Sequence, residues 1–259
     1  MKLFSLFIFL LLFSASGSAI DNAKRWIIVI DAGHGGSDHG AIGTSCSEKD
    51  ITLAIALKTG EYIKKNISNA TVIYTRDKDT FVALGERVRI ANKNKADLFI
   101  SIHANSTASI NVKGTETYVM GVTKEEENLE VAMKENEVIY LEKDYSTKYE
   151  GYDPKSPESF IIFTLTQNVF QSQSIDLASK IQTQYKDRTS RFDRGVKQAG
   201  FWVLYKTAMP SVLTEIGFIS NPTEEKYLIS TRGQDYLSSA IFRACRDYID
   251  KIDHKREKE

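Results

Sequence analysis

Two histidines in this chain each follow an apolar segment with the composition of a buried β-strand. His34 lies in the glycine-rich loop that follows the apolar run 27–30 and Asp31, and His103 ends the run 98–103. The carboxyl ends of parallel strands meet at one edge of a sheet, where open α/β sheets bind their ligands. An imidazole held at that edge can bind a metal ion or transfer protons. The two histidines together indicate a functional site more strongly than either does alone.

The residue types around these histidines are those of a catalytic zinc site. Such a site needs three protein ligands and one open position, so a third ligand should lie close to His34 and His103. Glu48 is the candidate, because it lies in the loop that leaves His34, just before a predicted helix. The alternative is that Glu48 only complements the positive end of the helix dipole. We interpret His39, in the same loop, and His254, near the C-terminus, as solvated histidines.

Glu215 is the candidate general base. It ends a short apolar run, and burying a carboxylate among apolar side chains costs free energy unless it has a partner or a function. A hydrolytic zinc site needs a group that takes a proton from water and passes it to the leaving amine. A structural ion pair is the alternative role for Glu215. The two histidines favour the catalytic interpretation.

The N-terminus has the three parts of a secretory signal peptide. Lys2 is followed by the apolar run 3–13 and by small residues for cleavage at 14–19. The apolar run is shorter than a membrane-spanning helix, which needs about 20 residues. We therefore expect residues 1–19 to be removed and the protein to be exported, to the periplasm or outside the cell. No membrane attachment is expected after cleavage.

The composition is that of an ordinary globular domain. The chain is 42% hydrophobic and 26% charged, and its formal net charge of zero provides no basic field for nucleic acid. An oxidising compartment permits disulfides. Cys46 and Cys245 are nevertheless far apart in sequence, and no disulfide between them is expected. We interpret Cys46 as a loop cysteine, although its closeness to Glu48 makes a metal role conceivable.

Strand and helix patterns alternate along the chain. Strands are predicted at 26–30, 71–75, 98–103, 115–120, 201–204 and 211–214, and helices at 50–65, 84–94, 157–186, from 222 onward and across 237–248. This alternation predicts an α/β fold with a mainly parallel twisted sheet and helices on both faces. One catalytic domain is expected over residues 26–252, followed by a charged tail at 253–259.

Residues 121–156, hereafter the insert, do not fit the alternation. They form a connection of about 36 residues, whereas connections in compact domains are usually much shorter. Within the insert, the stretch 124–141 has helical character and is rich in glutamate. It could be a solvated surface helix or a lid over the functional site, and the sequence leaves both open.

Several short segments occur in an order typical of one enzyme family. They are IDAGHGG at 30–36, Glu48–Asp50, Tyr74–Asp77, Leu84–Arg87 with Ala91–Asn92, Leu98–Asn105, Gly114–Tyr118 and Leu213–Asn221. From Trp26 to Ile252, the chain resembles the zinc-dependent N-acetylmuramoyl-L-alanine amidases of the Amidase_3 family, of the type that separates daughter cells. Arg76 and Arg87 also match family positions, and we interpret them as structural residues.

The resemblance implies a reaction and a set of roles. His34, Glu48 and His103 correspond to the zinc ligands, and Glu215 corresponds to the catalytic glutamate. The implied substrate is peptidoglycan, cleaved between the lactyl group of N-acetylmuramic acid and L-alanine. His39 stands where the family often has proline, which leaves a local role for it open.

The resemblance also bears on the insert. Related cell-separation amidases carry a regulatory helix in the corresponding connection, and a partner protein displaces it. The insert is therefore expected to be a lid that a periplasmic activator protein displaces, with Glu135, Glu137 or Glu142 blocking the zinc. Two other function classes stay open: an exported zinc hydrolase of another amide, such as a peptidase or sugar deacetylase, and a non-catalytic wall-binding module.

Overall fold

A six-stranded sheet organises the protein in a computed structural model that describes residues 24–123, 125–156, 159 and 169–258. The strands are β1 (Trp26–Ala32), β2 (Ala70–Tyr74), β3 (Leu98–Asn105), β4 (Thr115–Met120), β5 (Asp193–Ala199) and β6 (Ser211–Phe218). Their order is β2-β1-β3-β6-β4-β5, and every neighbouring pair is parallel except the antiparallel pair β4–β6. The prediction of a mainly parallel sheet is confirmed.

Helices cover both faces of this sheet, as predicted. They are α1 (Glu48–Asn66), α2 (Leu84–Lys93), α3 (Glu126–Asn136), α4 (Tyr145–Lys148), α5 (Gln171–Thr189), α6 (Pro222–Ile229) and α7 (Thr231–Arg256). Helices α1, α5 and α7 contribute to one core cluster, while α2 and the insert contribute to the other. Strand β1 serves both, with Ile28 and Ile30 facing the first cluster and Val29 the second. Burial on two faces explains its continuous apolar run.

One helix begins where it was predicted to begin, and another begins earlier. Helix α6 begins as predicted, because the Asn221 side chain accepts hydrogen bonds from the backbone N–H groups of Thr223 and Glu224, at 2.9 and 3.2 Å. Helix α1 begins at Glu48 rather than at residue 50 as predicted, and Ser47 is its N-cap residue. Glu48 is thus the first residue of α1, and the helix fixes the direction of its side chain.

The insert is packed rather than solvated. It contains α3, a 3₁₀ helix at Glu137–Leu141 and α4. Ala132 and Ile139 are fully buried in the second core cluster. The amide of Asn136 donates to the Gly200 carbonyl oxygen at 2.8 Å and accepts from the Trp202 backbone N–H at 2.8 Å. These contacts join the insert firmly to the sheet domain.

The structure corrects several predicted elements. The strand predicted at 201–204 is a 3₁₀ helix, Trp202–Leu204, because the insert's Tyr149 and Tyr152 pack on Trp202 and override its local strand preference. Strand β5 was missed, since its sequence is polar and it lies at the sheet edge. Helix α7 runs to Arg256, into the predicted tail 253–259.

Two predictions concern residues outside the described ranges. The signal peptide at 1–19 is one, and the helix start at Pro157 is the other, whereas the described part of that helix is α5. Among the described residues, no helix is both long enough and apolar enough to span a membrane. Cys46 and Cys245 are both free thiols, and Cys245 is buried.

Candidate metal centre

His34 occupies the tight turn that follows β1. Its φ of 60° lies in the left-handed region, which histidine adopts more readily than most residues other than glycine. Its Nδ1 lies 2.8 Å from Asp38 Oδ2, and its carbonyl oxygen accepts from Arg87 Nη2 at 2.7 Å. These two contacts orient the ring so that Nε2 points away from Asp38. Asp38 was not predicted from the sequence, although a carboxylate four residues after a loop histidine was a usable signal.

A buried network holds the end of β1 in place. Asp31 accepts from Arg87 Nη1 at 2.7 Å, from the Ser101 hydroxyl at 2.6 Å and from the Thr75 hydroxyl at 2.5 Å. Burial alone would raise the pKa of Asp31, but Arg87 and the two hydroxyls lower it. Arg76 donates to the Gly33 carbonyl oxygen at 2.8 Å. These contacts agree with the structural roles expected for Arg76 and Arg87.

Glu48 reaches the same edge from the first turn of α1. Its Oε1 accepts from the Ala104 backbone N–H at 2.9 Å, and its Oε2 accepts from the Ala41 backbone N–H at 2.8 Å. Gly40 has a φ of +65°, and a Cβ there would lie 2.7 Å from Glu48 Oε2 and 2.6 Å from the His34 ring. Glycine is therefore required for the loop to wrap around these two side chains.

The structure brings together the three residues predicted as metal ligands and adds a fourth. One ligand atom each from His34, Glu48, His103 and Glu135 lies within 4.8 Å of the others, and all four residues are buried. Glu48 Oε1 lies 3.1 Å from both His34 Nε2 and His103 Nδ1. Gly33 is also needed here, because a Cβ at that position would lie 2.5 Å from the His103 ring.

Glu135 is the acidic residue of the insert that lies at this cluster. Its Oε2 is 3.2 Å from His34 Nε2 and 3.0 Å from His103 Nδ1. The other two candidates lie elsewhere: Glu137 is 3.8 Å from Lys155, and Glu142 accepts from Lys148 at 2.9 Å. The sequence did not distinguish these three acids, because only the path of the insert decides which one faces the histidines.

The four side chains fit a divalent cation. Among the described residues, His34 Nε2 and Glu135 Oε2 are buried without a hydrogen-bond partner, although they are only 3.2 Å apart. Burial alone would lower the pKa of His103, but Glu135 and Glu48 raise it to about 10. Two carboxylates thus attract two positive charges here, which a divalent cation can supply in place of protons. Imidazole and carboxylate are both ligands that zinc uses.

Glu215 lies next to this cluster on β6. It is fully buried, and it is in register with His103 on β3 and with Glu116 on β4. Within the described residues, neither of its carboxylate oxygens has a hydrogen-bond partner. Burial raises its pKa well above the usual range, and Glu135, Glu48 and Glu116 raise it further, while His103 opposes them. A carboxyl group whose pKa is raised in this way can both accept and donate a proton.

The remaining candidates lie apart from the cluster. His39 and His254 are exposed, as the sequence interpretation expected. The Cys46 thiol is half-buried against Glu225 Oε1, and burial together with that carboxylate raises its pKa to about 11. A thiol with a raised pKa is a poor source of thiolate, so this environment does not favour metal binding.

Comparisons with known proteins show the family to which the chain belongs. Residues 28–247 match the Amidase_3 family, described as N-acetylmuramoyl-L-alanine amidase. The N-acetylmuramoyl-L-alanine amidase AmiA of Escherichia coli strain K12 is 31% identical over 251 residues, which cover 95% of this chain and 85% of that protein.

Solved structures show the same fold. The catalytic domain of the amidase CwlV from Bacillus (Paenibacillus) polymyxa var. colistinus is 30% identical with a TM-score of 0.64, covering 87% of this chain and 98% of that one. The amidase CwlD from Clostridioides difficile, solved in complex with the GerS lipoprotein, is 27% identical with a TM-score of 0.64 and the same coverage. The chain therefore belongs to the Amidase_3 family and is a hydrolase of the N-acetylmuramoyl-L-alanine amidase class.

Proposed function

We propose that this protein is a zinc-dependent amidase that hydrolyses peptidoglycan between N-acetylmuramic acid and the L-alanine of the stem peptide. The observation that carries the proposal is the convergence of His34, Glu48 and His103 beside the buried Glu215. The family relationship supports the substrate, and the donor set supports the metal.

The proposed metal ligands are His34, Glu48 and His103. When bound, a zinc ion lowers the pKa of a water ligand to about 7 and polarises a carbonyl oxygen. The protein's own contribution is to orient the donors. Asp38 holds the His34 ring, and the backbone N–H groups of Ala41 and Ala104 hold the Glu48 carboxylate.

Glu215 is proposed as the general acid and base. It accepts a proton from the attacking water and donates it to the amide nitrogen that leaves as the amine of L-alanine. Its unpartnered oxygens and raised pKa support both steps, because a base that is too acidic would hold the proton too weakly to pass it on.

Glu135 and the insert are proposed to keep the enzyme in an inactive state. The Glu135 carboxylate lies against both histidines, where a fourth ligand would displace catalytic water. Helix α3 must move before substrate reaches the donors. We propose that an activator protein provides this movement, and the occurrence of the related CwlD in complex with a lipoprotein supports the existence of such partners.

The proposed cellular role follows from the same features. The sequence pattern at 1–19 supports export through a signal peptide, with the periplasm as the compartment. There the protein would act in wall turnover and in the separation of daughter cells. A restrained amidase suits that role, because uncontrolled cleavage would weaken a load-bearing wall.

Zinc binding provides the first prediction. The mature protein should bind about one zinc ion per chain, and His34→Ala or His103→Ala should reduce the bound zinc far below that ratio, since the remaining donors hold zinc poorly. Plasma mass spectrometry of dialysed protein measures the ratio. His39→Ala, in the same loop but exposed, is the matched control and should retain zinc. Full occupancy in the His34→Ala, His103→Ala double variant would exclude these ligands.

Mass analysis of digested peptidoglycan tests the reaction itself. Purified sacculi treated with zinc-loaded protein should release intact stem peptides that begin with L-alanine, and should leave glycan strands with lactyl groups. Fragments cut within the peptide would indicate a peptidase, and deacetylated sugars would indicate a deacetylase. Either pattern in place of free stem peptides would contradict the proposed function.

A further inference from the structure

A cavity of about 240 Å³ lies beside the candidate metal centre, between the sheet and helix α3. Strands β3, β4, β5 and β6 contribute to its floor, and one face of α3 covers it. The charged residues that line it are Glu116, Arg194 and Lys197 from the sheet, and Glu127, Glu130 and Lys134 from α3. None of them has a part in the proposed hydrolysis, so the cavity needs a separate explanation.

A row of side chains across the sheet connects this cavity to the site. His103, Glu215 and Glu116 are register partners on β3, β6 and β4, so their side chains lie on the same face. Beyond Glu116, strand β5 has an irregularity in register at Arg194–Gly195, where Gly195 has a φ of +85°. Such a bulge changes the direction of a side chain. It directs Arg194 back toward Glu116.

The charges that the sheet contributes to the cavity do not cancel. Arg194 Nε and Lys197 Nζ donate to the same Glu116 oxygen, at 2.9 and 2.7 Å. Glu116 is buried, and these two cations lower its pKa against the effect of burial. One carboxylate therefore faces two cations, and the floor of the cavity retains a surplus positive charge.

Helix α3 supplies the missing negative charge in this structure. Glu127 Oε2 lies 3.4 Å from Arg194 Nη2, while 76% of the Glu127 side chain is exposed. Glu127 and Glu135 lie eight residues apart on α3, so one helix brings one carboxylate to the cavity and another to the histidines. If α3 moves away, as the proposed function requires, Arg194 loses this carboxylate partner.

We propose that Arg194 and Lys197 form a subsite for a free carboxylate of the stem peptide, on the acidic residue that follows L-alanine. The proposal rests on the proposed function, since it concerns the same substrate and the same displaced helix. Glu127 then occupies, in the covered state, the position that the substrate carboxylate takes when α3 has left. Arginine suits this role because its planar guanidinium can bind both carboxylate oxygens.

The distances allow one stem peptide to reach both places. Two strand spacings, about 9–10 Å, separate Glu215 on β6 from Arg194 on β5. An extended peptide covers about 3.3–3.6 Å per residue, so groups two or three residues from the cleaved bond lie within reach of the cavity.

Asn105 donates to Glu116 Oε1 at 2.8 Å, which leaves the second Glu116 oxygen to the two cations.

The test uses two N-acetylmuramoyl tripeptides that both carry D-glutamate as the second residue. The α-carboxylate of this D-glutamate is free in one peptide and amidated in the other, and the peptides are otherwise identical. Binding is measured by calorimetry on the zinc-loaded Glu135→Ala, Glu215→Gln protein, in which Glu135 no longer holds helix α3 at the histidines and turnover is expected to be low. The free carboxylate should bind about tenfold more tightly, the ratio expected for a charge-assisted hydrogen bond. Equal binding of the two peptides would overturn the subsite, whether or not the protein proves to be an amidase.

Further substitutions in the same double variant then identify the residues that cause the preference for the free carboxylate. Arg194→Gln should bring the two affinities to within about twofold, Arg194→Lys should keep part of the preference, and Arg188→Gln, at an exposed position on α5, should leave it unchanged. Loss of folding would weaken both peptides together and leave their ratio unaltered. A preference that survives in Arg194→Gln, Lys197→Gln would also overturn the proposal. The amidase reaction is judged separately, from cleavage by the Glu135→Ala enzyme.

Discussion

Replacing Glu215 with glutamine is expected to lower kcat by about 10²–10⁴-fold while the protein still binds zinc. Glutamine has nearly the same shape but can neither accept the proton from water nor return it to the leaving amine. The proposed donors His34, Glu48 and His103 are untouched by this change. Dye release from labelled sacculi measures turnover, and metal analysis of the same sample measures zinc.

The stability of the Glu215 variant separates a catalytic from a structural role. Both carboxylate oxygens are buried without hydrogen-bond partners in the described structure, so the charged form is costly to bury. Glutamine cannot ionise, so this substitution should leave the melting temperature unchanged or raise it. A residue needed for folding would behave in the opposite way. Turnover at the parent rate, with zinc bound, would rule Glu215 out as the base.

Replacing Glu135 with alanine is expected to raise basal activity, because the carboxylate no longer competes for the position between His34 and His103. A covered state favoured by about 2.7 kcal/mol leaves about 1% of molecules open, by the rule of tenfold per 1.4 kcal/mol. The gain therefore reaches about 100-fold if Glu135 provides most of that preference. Dye release without any activator measures it.

Two controls sharpen this prediction. Glu126→Ala removes an exposed carboxylate from the first turn of the same helix and should leave activity unchanged. Glu135→Gln keeps the size of the side chain and tests the charge alone. A point substitution is preferable to replacing residues 123–148 with a Gly-Ser linker, because the insert buries Ala132 and Ile139 in the core. Unchanged activity in Glu135→Ala would argue that the insert does not block the site.

Local patterns were sufficient for the parts of the fold whose structure is set by nearby residues. The apolar runs of β1 and β3 predicted buried strands that each lead to a histidine, and a helix was predicted from residue 222 onward, because periodicity and capping are properties of adjacent residues. Strand β5 and the 3₁₀ helix Trp202–Leu204 were missed or misassigned for the opposite reason. Their conformations depend on partners far away in sequence, β4 and the insert.

The candidate site, like the fold, could be predicted from the sequence only in part. By their types, spacing and family resemblance, His34, Glu48, His103 and Glu215 could be named from the sequence. Their closeness, however, is a product of sheet order, which places β1, β3 and β6 side by side.

The sequence alone determined the class of chemistry and the fold class. It also revealed the insert, but not the path that the insert takes. Only the tertiary structure decided that Glu135, rather than Glu137 or Glu142, faces the histidines, and that Arg194 and Lys197 line the neighbouring cavity. The physical reason is that side-chain type is local information, whereas the path of a long connection is set by the packing of distant apolar side chains. A glutamate-rich helix can direct any of several carboxylates at a metal site until its buried face, here Ala132 in the core, fixes its rotation.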